Sequence, residues 1–151
     1  MAFDIKATLV AVQSHLLAGG YFGSAVQVGE PKAPPQAPLS AAIFMADVAV
    51  VSLTLSSTIE RHTMQVRIYK DMLAEPEENV EMEVARVVSD VMADLVGEYD
   101  LGTTVRNVDV GGQHGGALAA RWGYVDVGGK MYRVADITVG LIIDGSATMA
   151  S

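Results

Sequence analysis

From Ile59 to Tyr69 the chain alternates with a period of two. His62, Met64, Val66 and Ile68 fall on one side, and Arg61, Thr63, Gln65, Arg67 and Tyr69 on the other. That period belongs to a pleated strand, and apolar-against-polar alternation predicts a half-covered antiparallel strand with one covered face and one polar face. Such a strand needs something to cover its apolar side. The cover is legible a little further on, where Val80, Val84, Val87, Val88, Val91 and Leu95 recur at helical spacing opposite Glu81, Arg86, Asp90 and Asp94. Pro76 suits the first helical position, and Glu75, Glu77 and Glu78 place negative charge at the positive end of the helix dipole. Valine is a modest helix former, so this helix depends on packing against the sheet.

The remaining elements follow from the same two periods. Asp4 is a suitable N-cap for a helix whose stripe is Ile5, Leu9, Val12 and Leu16, and Gly19-Gly20 supplies its left-handed stop. A short strand is expected at 25–28. Four of the five prolines crowd into 31–38, which reads as a stiff extended connector. Pro35-x-x-Pro38 also has the form of a polyproline ligand, but no basic anchor flanks it. Residues 39–46 read as a buried strand, and 47–57 follow it with Val48, Val50, Val51, Leu53 and Leu55. After the second helix, strands are expected from 103 to 110 and around Leu118, Ala120, Trp122 and Tyr124. Gly128-Gly129 forms a two-residue hairpin turn. The return strand carries Met131, Ala135, Ile137, Val139, Leu141 and Ile143. The order is α–β–β–β–α–β–β–β, an α+β fold with two helices packed on a mainly antiparallel sheet. Residues 1–143 form a single domain, and 144–151, small and polar, form a flexible C-terminal tail.

Composition removes whole classes of function. The chain has 151 residues with half of them apolar, enough for one domain with a sizeable core and too hydrophobic for bulk disorder. It has no cysteine, which excludes disulfide scaffolds, thiol catalysis and Cys-ligated metals and fits a reducing compartment. Ten basic against eighteen acidic side chains give a net charge of −8, which argues against docking on nucleic acid or anionic membranes. Asp4 occupies the place of a basic secretory leader. The weakly charged run 33–59 is broken by Pro34, Pro35, Pro38 and Asp47, so it is not read as a membrane span.

Signatures of chemistry are equally sparse. His15, His62 and His114 are far apart, with no His-x-x-x-His or Glu-x-x-His pair to set metal geometry, and no metal site or cofactor is expected. The glycine-rich run 111–116 runs into a strand and has no adjacent lysine, so a phosphate cradle is a poor reading. A connector, or a loop ordered by a neighbouring subunit, fits better. No Gly-x-Ser-x-Gly elbow is present. Glu77, Glu78, Glu81 and Glu83 suit dipole complementation and solvation rather than acid–base work. No catalytic residue is assigned.

The unusual feature is the apolar load of 47–55. One small sheet with two helices has little room for Val48, Val50, Val51, Leu53 and Leu55 beyond the strands already placed. They form either a further core strand or a hydrophobic arm covered by another subunit. The candidate subunit interface is therefore Val48, Val50, Val51, Leu53 and Leu55, together with Gln113 and His114 of the glycine loop.

This succession resembles the tail terminator (tail completion) proteins of long-tailed bacteriophages. The features are the helix ending at Leu17, the proline crossing 31–38 into Ala41-Ala42-Ile43-Phe44-Met45, and the strand Met64-Gln65-Val66-Arg67-Ile68-Tyr69 feeding the helix 76–96. The last is the hairpin ending Tyr132-Arg133-Val134-Ala135-Asp136-Ile137-Thr138-Val139. The likeness lies in size, element order and texture. It implies a virion structural protein, assembled in the host cytoplasm into a hexameric ring at the head-proximal end of the tail. There it would stop tube polymerisation, with the major tail tube protein on one side and the head–tail connector on the other. DNA would pass through the lumen without specific binding, and an acidic lining would let phosphates slip. Two other readings compete: a monomeric or dimeric head–tail joining adaptor of the neck, and a small α+β enzyme whose site is assembled in space.

Overall fold

A computed structural model describes residues 5–23, 25–32, 35, 37–53, 58–73, 76–97, 107–108, 112 and 117–145. The elements are α1 (Ile5–Ala18), β1 (Val26–Val28), β2 (Leu39–Leu53), β3 (Thr58–Asp71), α2 (Glu77–Gly97), β4 (Asn107–Val108), β5 (Ala119–Val127) and β6 (Lys130–Gly145). The α+β class and the element order are those the periodicities predict. The sheet runs β1-β2-β3-β6, and the far side of β6 is shared between β5, along residues 130–138, and β4, at Leu141 and Ile142. Among the described residues only β1 against β2 is parallel.

One face of the sheet is covered by the helices. Val12 and Leu16 of α1 and Val84, Val87, Val88, Val91 and Leu95 of the α2 stripe are buried in one cluster, and Val80 is buried as well. With them lie Ala41 and Ile43 of β2, Met64, Val66 and Ile68 of β3, and Ala135, Ile137, Val139, Leu141 and Ile143 of β6. Pro76 accepts the first helical hydrogen bond from Val80 N–H. Lys70, buried on β3, reaches Glu83 of α2 at 2.8 Å, tying the helix to the sheet. Gly128 and Gly129 have φ of 60° and 86°, the conformation a two-residue turn requires, and the Asp126 carboxylate accepts from Gly129 N–H. The Asp4 cap lies outside the described residues.

The expectation of one polar face on β3 needs correction. Tyr69 is buried on that second face, where it forms a small second core with Ala42, Tyr132 and Val134, flanked by Phe44, Val125 and Val127. The Tyr69 and Tyr132 rings meet edge to face at 5.9 Å, and Tyr132 Oη donates to the Pro35 carbonyl. The proline connector and the β5–β6 hairpin thus enclose a face that alternation alone reads as wet. Arg67 stays polar there, paired bidentately with Asp136 at 2.6 and 3.1 Å and lying over the Phe44 ring. The Asp136 carboxylate raises its pKa still further. Residues 39–46 and 47–53 are one continuous strand rather than two segments. At the other end of the chain, β6 continues two residues past 143, with Asp144 opposite Ile59 and Gly145 opposite Thr58.

Candidate functional site

The distinguishing feature is the far half of β2. Between Met45 and Asp47 the pairing with β3 shifts by one residue, so Ala46 is an extra residue, and a second shift between Val50 and Ser52 makes Val51 another. Each shift is a β-bulge, and each moves the following side chains to the opposite face. Before the first bulge, Ile43 and Met45 oppose Val66 and Met64 on the helix side. After it, Val48 and Val50 take that side, opposite His62 and Glu60. After the second, Leu53 takes it, opposite Thr58. The second bulge turns the uneven spacing 48, 50, 53 into a single apolar row, and the first puts that row on the helix side.

That row lies beyond the cover. Val48, Val50 and Leu53 are 51%, 58% and 59% exposed, whereas Leu141 and Ile143, which oppose His62 and Glu60 from the other side of β3, are buried. The helix layer thus shields β6 and β3 at this level but not β2. Covering these three half-exposed side chains is worth on the order of 1 kcal/mol each. The backbone of the same segment is open as well. β1 pairs with β2 only from Ala41 to Ile43, and among the described residues no strand pairs with the outer side of β2 beyond that point. Asp47 is exposed on the opposite face, beside Thr63. On the neighbouring strand, His62 Nε2 lies 3.1 Å from Glu60.

Of the sequence-predicted interface residues, Val48, Val50 and Leu53 share one exposed row. Val51 sits in β2 as the extra residue of the second bulge, and Leu55, Gln113 and His114 lie outside the described residues.

A second open strand, β5, closes the opposite margin. Trp122 and Tyr124 are 38% and 60% exposed, on the helix side of the sheet, opposite Ala135 and Arg133. Tyr124 is stiffened by Arg133, whose guanidinium lies 4.5 Å from its ring, and Arg133 is held bidentately by Glu81 of α2 at 2.9 and 3.0 Å. That pairing keeps the Glu81 carboxyl below the usual carboxylate range and raises the Arg133 pKa. The sequence did reveal the alternation of β5. What period two does not contain is whether a strand lies inside a sheet or at its margin, so Trp122, Tyr124 and Arg121 gave no interface signal.

Elsewhere the surface offers little chemistry. A cavity of about 310 Å³ lies between β1, the proline connector and β2. Ser40 Oγ is buried there without a hydrogen-bond partner among the described residues, and burial pushes the Tyr69 hydroxyl up. The described residues that line it include no carboxylate, histidine or lysine to act as acid or base. Among the described residues no three His, Asp or Glu side chains converge to hold a metal ion, and no helix is long and apolar enough to cross a membrane. No model of a known protein family matches the chain, and no curated protein matches it.

Proposed function

We propose that this chain is a structural, non-enzymatic virion protein that closes into a ring at the head-proximal end of a phage tail, halts tube polymerisation there and joins the tail to the head connector. The observation that supports it is the uncovered apolar row Val48, Val50 and Leu53 on an open strand. A lone molecule gains nothing by aligning three apolar side chains in water, and a subunit that abuts its own copy does. In the proposed ring this margin meets a different surface of the next copy, a head-to-tail contact. Such contacts give a finite assembly when the rotation closes. A closed ring ends a growing tube by replacing the tube's adding surface with a different one. It works by shape complementarity. The net charge of −8 suits a passage through which DNA moves without being held.

The test is assembly without this protein. Tails made in its absence should be overlong and fail to join heads, and tails of normal length would reject termination. Native mass spectrometry of the protein, alone and bound to tube ends, should give a ring near six times the 15.9 kDa chain.

A further inference from the structure

We infer that copies of this chain join edge to edge, with the outer side of β2 beyond Ile43 pairing antiparallel to β5 of the next copy, so that one sheet continues from subunit to subunit. The inference rests on the ring reading for its biological setting, but its grounds are the two margins of the sheet.

The margins differ in kind from an ordinary protected edge. The outer side of β1 is occupied: Gln13 of α1 donates from its side-chain amide to the Val26 carbonyl at 2.9 Å. Past β1 that protection stops, and β2 runs on from Phe44 to Leu53 with its outward backbone groups facing no strand among the described residues. On the far side, β5 pairs among the described residues with β6 alone. Long edges with apolar side chains are templates for another chain. Here neither lysine nor proline interrupts the stretch 44–53, and its only protective devices are Asp47 and the two bulges.

Strand direction selects the partner. β2 is antiparallel to β3, β3 to β6 and β6 to β5, so β2 and β5 run in opposite directions within one subunit. Rotation about an axis along the strands preserves those directions. The β2 of one copy then meets the β5 of the next as an antiparallel pair, the better ladder.

The faces agree too. Val48 and Val50 share the helix side with Trp122 and Tyr124, while Asp47 and Arg121 share the other side, opposite Thr63 and Asp136. Placing Val48 opposite Trp122 puts an aromatic against a β-branched residue, Ala49 opposite Arg121, and Asp47 diagonal to Arg121, within reach of an ion pair. A two-fold pairing of β2 with β2 would leave the aromatic edge of β5 uncovered and bring no opposite charge to Asp47.

The absence of native cysteine makes the test clean. Ala49→Cys and Arg121→Cys are made singly and together, then exposed to a mild copper oxidant, both in purified protein and in assembled tails. The expected result is a covalent ladder ending in a closed ring for the double variant. Mixing the two single variants should give a single cross-linked pair, and neither single variant should cross-link alone. Cross-linking of Ala49→Cys to itself would overturn the inference in favour of a two-fold dimer. A ring of unchanged mass that never cross-links would overturn it while leaving the ring reading standing. A cross-linked ring on tails whose length does not depend on the protein would support the edge pairing and reject the terminator reading. Failure to cross-link in both settings ends the inference.

Discussion

Gly140 leaves room for a side chain from the adjacent strand. It faces Thr63, and a β-carbon at position 140 would overlap the guanidinium of Arg61, which is buried and donates to Thr63 Oγ1 at 3.0 Å. Gly140→Ala therefore displaces a buried charge from its hydrogen bond. It should lower stability by about 1–3 kcal/mol, read as a shift of the urea midpoint without change in slope. Tyr21 shows a second local dependence. Its hydroxyl donates to Asp94 at 2.6 Å, and that carboxylate, followed by burial, pushes the phenol up to about 12 from its ordinary 10.0. A raised pKa means the folded state keeps its proton longer. The contribution is fully present below pH 10.0 and is lost as pH rises through about 12, because the unfolded chain ionises first. Tyr21→Phe should cost roughly 1 kcal/mol at neutral pH. The difference between variant and parent, followed by thermal melts against pH, should shrink across that alkaline window. Neither contact was legible in the sequence: a glycine in a strand and a tyrosine after a helix say nothing about which distant side chain arrives beside them.

Among the elements, α2 was the most legible and β2 the least. Six apolar residues at helical spacing fix which face α2 buries, whatever the sheet beneath it does. Leu95→Ala, which opens a hole at a fully buried position, should cost about 2–5 kcal/mol in a denaturant titration. In β2 the alternation fails at 46 and 51, and a sequence reader sees only an excess of valine. The same irregularity is the trace of two bulges, recognisable once the partner strand is known. The second face of β3 was hidden for a related reason. Tyr69 alternates with polar residues, and only the returning connector and hairpin show that it is covered. The arm itself carries a prediction that separates assembly from folding. Val50→Lys adds a charge where the side chain already meets water, so it should change the unfolding free energy by less than about 1 kcal/mol. The proposed assembly should weaken at least tenfold, since an ammonium, even with Glu60 opposite it, must lose its water where an apolar side chain would be covered. Sedimentation against concentration, beside a thermal melt, measures both.

At the scale of the whole molecule, charge and shape make separate statements. An excess of eight acidic groups opposes phosphate, so the purified protein should not retain duplex DNA at about 0.15 M salt. Retention that weakens steeply with added salt would contradict a passive channel. Composition held this much from the start, whereas the surfaces that would meet a tube or a connector have no sequence period to announce them. The bulges have one more consequence at this scale. An extra residue bends its strand and adds local right-handed twist, so β2 leaves Met45 at a different angle from the one at which it entered. In a sheet passed from copy to copy, that angle becomes the increment of arc per subunit. Removing Ala46 would then alter curvature before it altered affinity, and the product to look for in micrographs is a straight ribbon where a circle had been.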